Sequence, residues 1–191
     1  MSNRNKKGRL FIVSAPSGAG KTTLCNHALK QLPNLIRSVS YTTRQKRKNE
    51  KQDVDYHFIT ETGFKKMMAE DRFAEWAVVH GHYYGTDRQC IEAAVGSGKD
   101  VILSIDVQGG EQLIKLYPDA VTIFIHTPSF EELKKRLFQR KSDTTLTIEK
   151  RLQGADMELK ASKLYQHHIV NDRFKKALKE FIALIRSKRR R

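Results

Sequence analysis

Cysteine is scarce in this 191-residue chain: only Cys25 and Cys90 occur, far apart and in no metal-ligand spacing. That argues against a disulfide scaffold and a zinc site, and a reducing cytoplasm is the expected setting. Long apolar runs are missing as well. Val101, Ile102 and Leu103, or residues 121–125, fall far short of the roughly 20 residues that a membrane span needs. The basic N-terminus leads only into the apolar residues 10–13, too short for the core of a secretion signal. No repeat of solenoid length and no low-complexity linker divides the chain. Acidic residues are outnumbered, 21 against 36 Lys and Arg, for a formal net charge of +15. That excess favours anionic partners such as phosphates, nucleic acid or an acidic membrane, without choosing among them.

What remains is the composition of a soluble globular protein, 39% hydrophobic and 30% charged, of a length that suits one domain. Residues 10–13, 101–105 and 121–125 are short, rich in Val and Ile, and bounded by Gly, Pro or Asp. They predict strands of a sheet covered on both faces. Helical spacing follows each: Leu24, Ala28 and Leu29, then Leu113, Ile114 and Leu116, then Leu133 and Leu137. The last helix opens on Ser129 with Glu132 three residues on, a capping box. Alternating strands and helices predict an α/β fold with a parallel sheet. Residues 41–85 break the rhythm. They are polar and aromatic, and predict an inserted, mostly β subdomain with one helix near 64–68 and with Trp76 and Tyr83 packed in its core. Residues 140–151, polar and charged between two helical segments, are expected to form a short mobile lid. A terminal helix over 174–185 shows Leu178, Phe181, Ile182 and Ile185 on one face, before a basic tail at 187–191.

Three constellations carry chemistry. The first strand runs into Ala15-Pro16-Ser17-Gly18-Ala19-Gly20-Lys21-Thr22 and then a helix. Apart from Ala15 in place of a leading Gly, this is the phosphate-binding loop pattern G-x-x-x-x-G-K-[ST]. Its glycines let backbone N–H groups turn towards phosphate oxygens at a helix N-terminus. Lys21 is expected to reach the terminal phosphates, and the Thr22 hydroxyl to help hold Mg²⁺. The second runs from Ser38 through Ser40, Arg44 and Arg47 to Glu50, followed by Tyr56-His57-Phe58. Arg44 and Arg47 offer planar forks suited to phosphate, and Ser40 and Tyr56 neutral donors. Taken alone, it reads more readily as a basic surface loop. The third is Glu75-Trp76-Ala77 followed by Tyr83-Tyr84-Gly85-Thr86. A carboxylate in a dry pocket there could accept from two neighbouring donors, as on the Watson–Crick edge of guanine.

These motifs, in this order and spacing, resemble guanylate kinase, and the likeness continues through Ile105-Asp106-Val107-Gln108-Gly109, Arg140, Arg151 and Ile169-Val170-Asn171-Asp172. It covers essentially the whole chain from Gly8 to Arg186. The resemblance implies a P-loop NTPase core over 8–40 and 86–186, a GMP-binding subdomain over about 41–85 and a lid over about 140–151. It implies Mg²⁺-dependent transfer of the ATP γ-phosphoryl group to GMP. Ser40, Arg44, Arg47, Tyr56 and Tyr84 match binders of the GMP phosphate, with Glu50 holding the arginines. Glu75 and Thr86 match readers of guanine, and Asp106 an acid near the purine. Arg140 and Arg151 match lid arginines that close over the transferring phosphate, and Asn171 borders the adenine. Lys21, Arg44, Arg140 and Arg151 are therefore the expected catalytic cations. Ser104 stands where the family usually has a second acid, Asp53 where it has a small residue, and Lys141 where a Gly is common.

Competing expectations are a catalytically inactive binding module of the same fold and a nucleic-acid binder driven by the basic excess. A third is a kinase for another nucleoside monophosphate. The intact Lys21-Thr22 pair opposes the first. No nucleic-acid module is recognisable, so any such binding is expected to be weak and sequence-independent. The residues 44–50 and Glu75 oppose the third. ATP and GMP are the expected partners, with no specific nucleic acid and no membrane.

Overall fold

A computed structural model describes residues 7–79, 81–139, 154 and 157–189. Five parallel strands form the main sheet: β1 (Leu10–Ser14), β2 (Leu35–Arg37), β7 (Asp100–Ser104), β8 (Val121–His126) and β9 (His167–Val170). Their order is β2-β7-β1-β8-β9. The three expected strands are the three central ones. β2 and β9 escape the sequence pattern because they are short edge strands, and β9 shows a buried side chain only at Ile169.

Successive side chains of β1 enter opposite faces of the sheet, as the period of two requires. Phe11 and Val13 pack with Leu24, Ala28, Phe181 and Ile185 under α1 (Lys21–Gln31) and the terminal helix α6 (Phe174–Lys188). Leu10 and Ile12 pack with Ile91, Leu103 and Leu113 under α3 (Arg88–Gly96) and α4 (Val107–Leu116). On α6 the expected apolar face is present, with Phe181, Ile182 and Ile185 buried; Ala177 joins them and Leu178 is only partly covered. Ahead of α5 (Phe130–Phe138), the Ser129 hydroxyl accepts from the Glu132 N–H at 3.1 Å. Glu132 turns its own carboxylate to Arg136 Nε at 2.8 Å, so no return half of the capping box is formed.

Between α1 and α3 lies a second sheet, of order β4-β3-β6-β5. It is made of β3 (Tyr41–Thr42), β4 (His57–Phe58), β5 (Phe73–Val79) and β6 (His82–Asp87). Against it packs α2 (Glu61–Ala69), which seats Phe64 and Met67 on Phe73. Tyr83 stacks on Phe64 at 5.2 Å, as expected of a packed aromatic. Trp76 does not: it is 40% exposed. Along β5, Glu75 and Ala77 point inward, which turns Trp76 and Val78 to the outer face.

Candidate active site

Gly18 and Gly20 of the loop after β1 have φ of 96° and 90°, in the left-handed region that only glycine adopts freely. Gly20 is the N-cap of α1, so Lys21 and Thr22 are its first two residues. Ala15 is buried and does not share that backbone conformation, which is why alanine serves where the pattern asks for glycine. Lys21 Nζ donates to the Ile105 carbonyl beyond the end of β7. Burial pushes its ammonium below the ordinary value, against the pull of Asp106.

A cavity of about 280 Å³ opens on this loop, walled by Ala15, Pro16, Ser17, Gly18, Gly20, Lys21 and Thr22, and by Ser40, Arg47, Tyr56, Glu75, Tyr84 and Asp106. A second, of about 240 Å³, shares Thr22, Ser40, Arg47, Tyr56 and Tyr84 and adds Arg44 and Glu50. The three constellations thus meet in one cleft beyond the carboxyl ends of β1 and β7, where open α/β sheets bind ligands. Ala19, Asn171 and Thr86 stand behind its walls. Ala19 and Thr86 are fully buried. Asn171, expected beside adenine, is buried and donates from Nδ2 to the Ala19 carbonyl at 2.8 Å, so it braces the loop from below. Arg140, Arg151 and Lys141 lie outside the described residues.

Arg44 is held on three sides. Its two terminal nitrogens meet the Glu50 carboxylate at 3.0 and 2.8 Å, and its Nε donates to the Tyr84 hydroxyl at 3.2 Å. Its guanidinium lies 5.5 Å from the Tyr56 ring centre. Glu50 also accepts from the Arg47 N–H at 2.8 Å. Burial alone would raise the Glu50 carboxyl, but the Arg44 fork and the Arg47 N–H outweigh it and hold it below the ordinary value. Nearby Asp53 occupies φ 62°, a conformation that suits a small residue and that Asp tolerates.

Glu75 owes its aim to an irregularity. Phe73 stands opposite Asp87 and Glu75 opposite Thr86, so two steps along β5 match one along β6. This bulge sends Phe73 into the α2 cluster and Ala74 into the main core. It leaves Glu75 facing its cross-strand partner, whose hydroxyl donates to Oε1 at 2.5 Å. Thr86 Oγ1 lies in turn 3.1 Å from Ser40 Oγ. Burial pushes the Glu75 carboxyl up to about 7; the Thr86 bond opposes the rise and Asp106 adds to it. Asp106 is also the N-cap of α4, accepting from the N–H groups of Gln108 and Gly109 at 2.8 and 3.3 Å.

The cleft holds residues that the motifs do not announce: Val79 and Glu158 in the first cavity, Arg37 and Asp55 in the second. Ser104 lines both, a hydroxyl where an acid was expected. Gly109 was read only as the end of a motif, and Gly110 beside it was not read. Two glycines opening a helix cost about 1 kcal/mol each relative to alanine, a signal that something presses close. A Cβ on Gly110 would overlap the Tyr165 hydroxyl, which donates to Ser14 Oγ at 2.7 Å.

The family model described as guanylate kinase matches residues 7–188. Among curated relatives, the guanylate kinase of Geobacter metallireducens is 46% identical over 184 residues, 96% of this chain and 91% of that one. That of Thermotoga maritima is 41% identical over 183 residues, 96% and 88% of the two chains. The crystal structure of guanylate kinase from Anaplasma phagocytophilum superposes with a TM-score of 0.80 at 30% identity, covering 96% of this chain and 87% of that one. A shikimate kinase from Bacteroides thetaiotaomicron, at 15% identity and a TM-score of 0.51, shares the fold alone.

Proposed function

This chain belongs to the guanylate kinase family, and on that premise we propose that it moves the γ-phosphoryl group of ATP onto GMP, giving ADP and GDP. The observation that carries the reading is Glu75, a buried carboxylate in the wall of the cavity that also exposes the P-loop. Guanine presents N1–H and a 2-amino group side by side, and a carboxylate offers two acceptors to match them. Adenine has an acceptor at N1 and no 2-amino group, so it would leave a buried polar group unpaired. Sites built on such bonds reject the wrong partner by roughly 10⁴ to 10⁵.

In this reading Arg44, Arg47, Tyr56, Tyr84 and Ser40 take the GMP phosphate, and Glu50 keeps the Arg44 fork in place. The P-loop and Lys21 take the ATP phosphates. Phosphoryl transfer asks for positioning and charge stabilisation, so no dedicated base is assigned. Arg140 and Arg151 are proposed as lid arginines on the family resemblance alone. The Thr22 hydroxyl and the Asp106 carboxylate are among the hard oxygen donors that line the first cavity. Such donors suit Mg²⁺, which keeps its waters and binds through one or two protein groups plus substrate phosphates. Those two residues would hold it, and it would offset charge on the transferring group. Residues 41–85 are proposed as the GMP-binding subdomain. A cytoplasmic enzyme without a specific nucleic-acid or membrane partner fits the two free cysteines.

The test is ADP release from ATP with GMP, AMP, CMP and UMP in turn. GMP should be the preferred acceptor, and Glu75→Ala should lose most of the preference over AMP with ATP KM nearly unchanged. A Glu75→Ala protein that keeps the wild-type ratio of kcat/KM for GMP and AMP would remove Glu75 from the base site.

A further inference from the structure

The Glu75 carboxylate is confined on its far side by α4. Gly109 sits in the first turn of that helix, and a Cβ built on it would overlap Glu75 Oε2 and stand 3.0 Å from Cδ. One residue further along β5, the same helix makes a second contact. The Trp76 N–H donates to Gln112 Oε1 at 3.2 Å, and Gln112 Nε2 donates to the Trp76 carbonyl at 2.8 Å. β5 is the outer strand of its sheet, so these two backbone groups would otherwise form an open edge. The Gln112 carboxamide closes the edge as a neighbouring strand would. Gly109 and Gln112 are three residues apart and share one face of α4. Neither lines the cavity.

We propose that this face of α4 is the positioning element for base recognition: Gln112 fixes the height of β5 on the helix, and Gly109 fixes where the Glu75 carboxylate stops. The proposal rests on the reading of Glu75 as the guanine acceptor. With Thr86 holding one oxygen and the bare Cα of Gly109 against the other, the carboxylate has one place to stand. A designed or natural site must hold such a group within about 0.5 Å of its productive geometry. The fold itself does not need the glycine. Oε2 is the far end of a side chain, so an added methyl displaces the carboxylate and leaves helix and strand in place, while alanine is the better helix former.

Gly109→Ala, Gln112→Ala, Glu75→Ala and the double variant Gly109→Ala/Glu75→Ala are compared by thermal melting, by ATP KM, and by kcat and KM for GMP and AMP. Gly109→Ala should melt near the wild type, keep its ATP KM, and raise GMP KM and lower the GMP-to-AMP ratio by roughly 10-fold or more. Gln112→Ala should shift the ratio in the same direction by a smaller factor. Adding Glu75→Ala to Gly109→Ala should cost far less than Glu75→Ala does alone, since both act on one contact. A Gly109→Ala protein with the wild-type ratio, or losses that simply multiply in the double variant, would overturn the proposal while Glu75→Ala still shows its effect. Should Gly109→Ala not fold, an unchanged ratio in Gln112→Ala overturns it instead. If Glu75→Ala itself leaves the ratio unchanged, the guanine reading fails first.

Discussion

Glu75 sets binding against stability within one side chain. It is 3% exposed, and burial pushes its carboxyl from 4.5 up to about 7. A carboxyl raised in the folded state favours the fold when it is protonated. That contribution is complete below the unfolded value near 4.5 and is lost as pH rises through about 7. Glu75→Gln, which keeps an acceptor for Thr86, should therefore melt higher than the wild type at pH 8, by as much as ~3 kcal/mol, and about equally at pH 5. Base recognition runs the other way, because only the carboxylate offers two acceptors. GMP KM of the wild type should climb as pH falls from 8 to 6, and that of Glu75→Gln should be high and flat. A flat wild-type profile would mean that the group stays ionised. Lys21 makes a simpler case: its ammonium is already penalised by burial, and its stem is apolar. Lys21→Met should leave melting near the wild type and lower kcat by about 10²-fold or more, as other electrostatic deletions do. Near-normal turnover in that variant would dismiss the loop assignment.

At the scale of elements, the P-loop hangs on the end of β9 through Asn171, which follows the strand and takes the Ala19 carbonyl. Asn171→Ala leaves that carbonyl buried without its partner, at a cost of roughly 1–3 kcal/mol. The loop loses a brace, so ATP KM should rise several-fold with GMP KM unchanged; equal changes in both would place Asn171 outside the loop's support. The sequence placed Asn171 near ATP and missed how, because a motif names neighbours and not the direction a side chain takes. The same limit recurs across the fold. β1, β7 and β8 were legible because strands buried on both faces become unbroken runs of Val, Ile and Leu. β2 and β9, at the sheet edges, carry too few buried positions to show a pattern. The loop, the Arg44–Glu50 pair and the Glu75 region were legible as motifs. The β5 bulge was not, since one extra residue between Phe73 and Glu75 leaves no mark on composition. Trp76 was misjudged for that reason: assigning it to the core assumes an aromatic residue faces inward, and the alternation beyond the bulge turns it out. Gly109 was invisible as a contact because its role is to have no side chain.

For the whole molecule, the open question is what the +15 charge does. The described pairs Lys65–Glu61, Lys115–Glu111 and Lys66–Glu70 are exposed helix pairs that solvent screens, so they add little to stability. Nor do the described residues concentrate the excess in the cleft. Among the described residues the two cavities are lined by the cations Lys21, Arg37, Arg44 and Arg47 and by the acids Glu50, Asp55, Glu75, Asp106 and Glu158. The described part of the lining is nearly balanced and by itself attracts two phosphorylated substrates poorly from a distance. The outer body, including Lys175, Lys176 and Lys179 along α6, is then expected to supply much of the long-range field. Such a field raises encounter rates and fades with salt, as the Debye length shrinks from about 30 Å at 0.01 M to about 8 Å at 0.15 M ionic strength. Accordingly kcat/KM for GMP should fall several-fold across that range while kcat at saturation holds. Lys175 and Lys179 are exposed, and neither lines the two cavities. Replacing both by Glu should lower kcat/KM at low salt, flatten its salt dependence, and leave the value at 0.15 M and the melting temperature near those of the wild type. If the doubly substituted protein keeps the wild-type salt slope, the field that draws substrate is local to the cleft, and the outer charge has no part in capture.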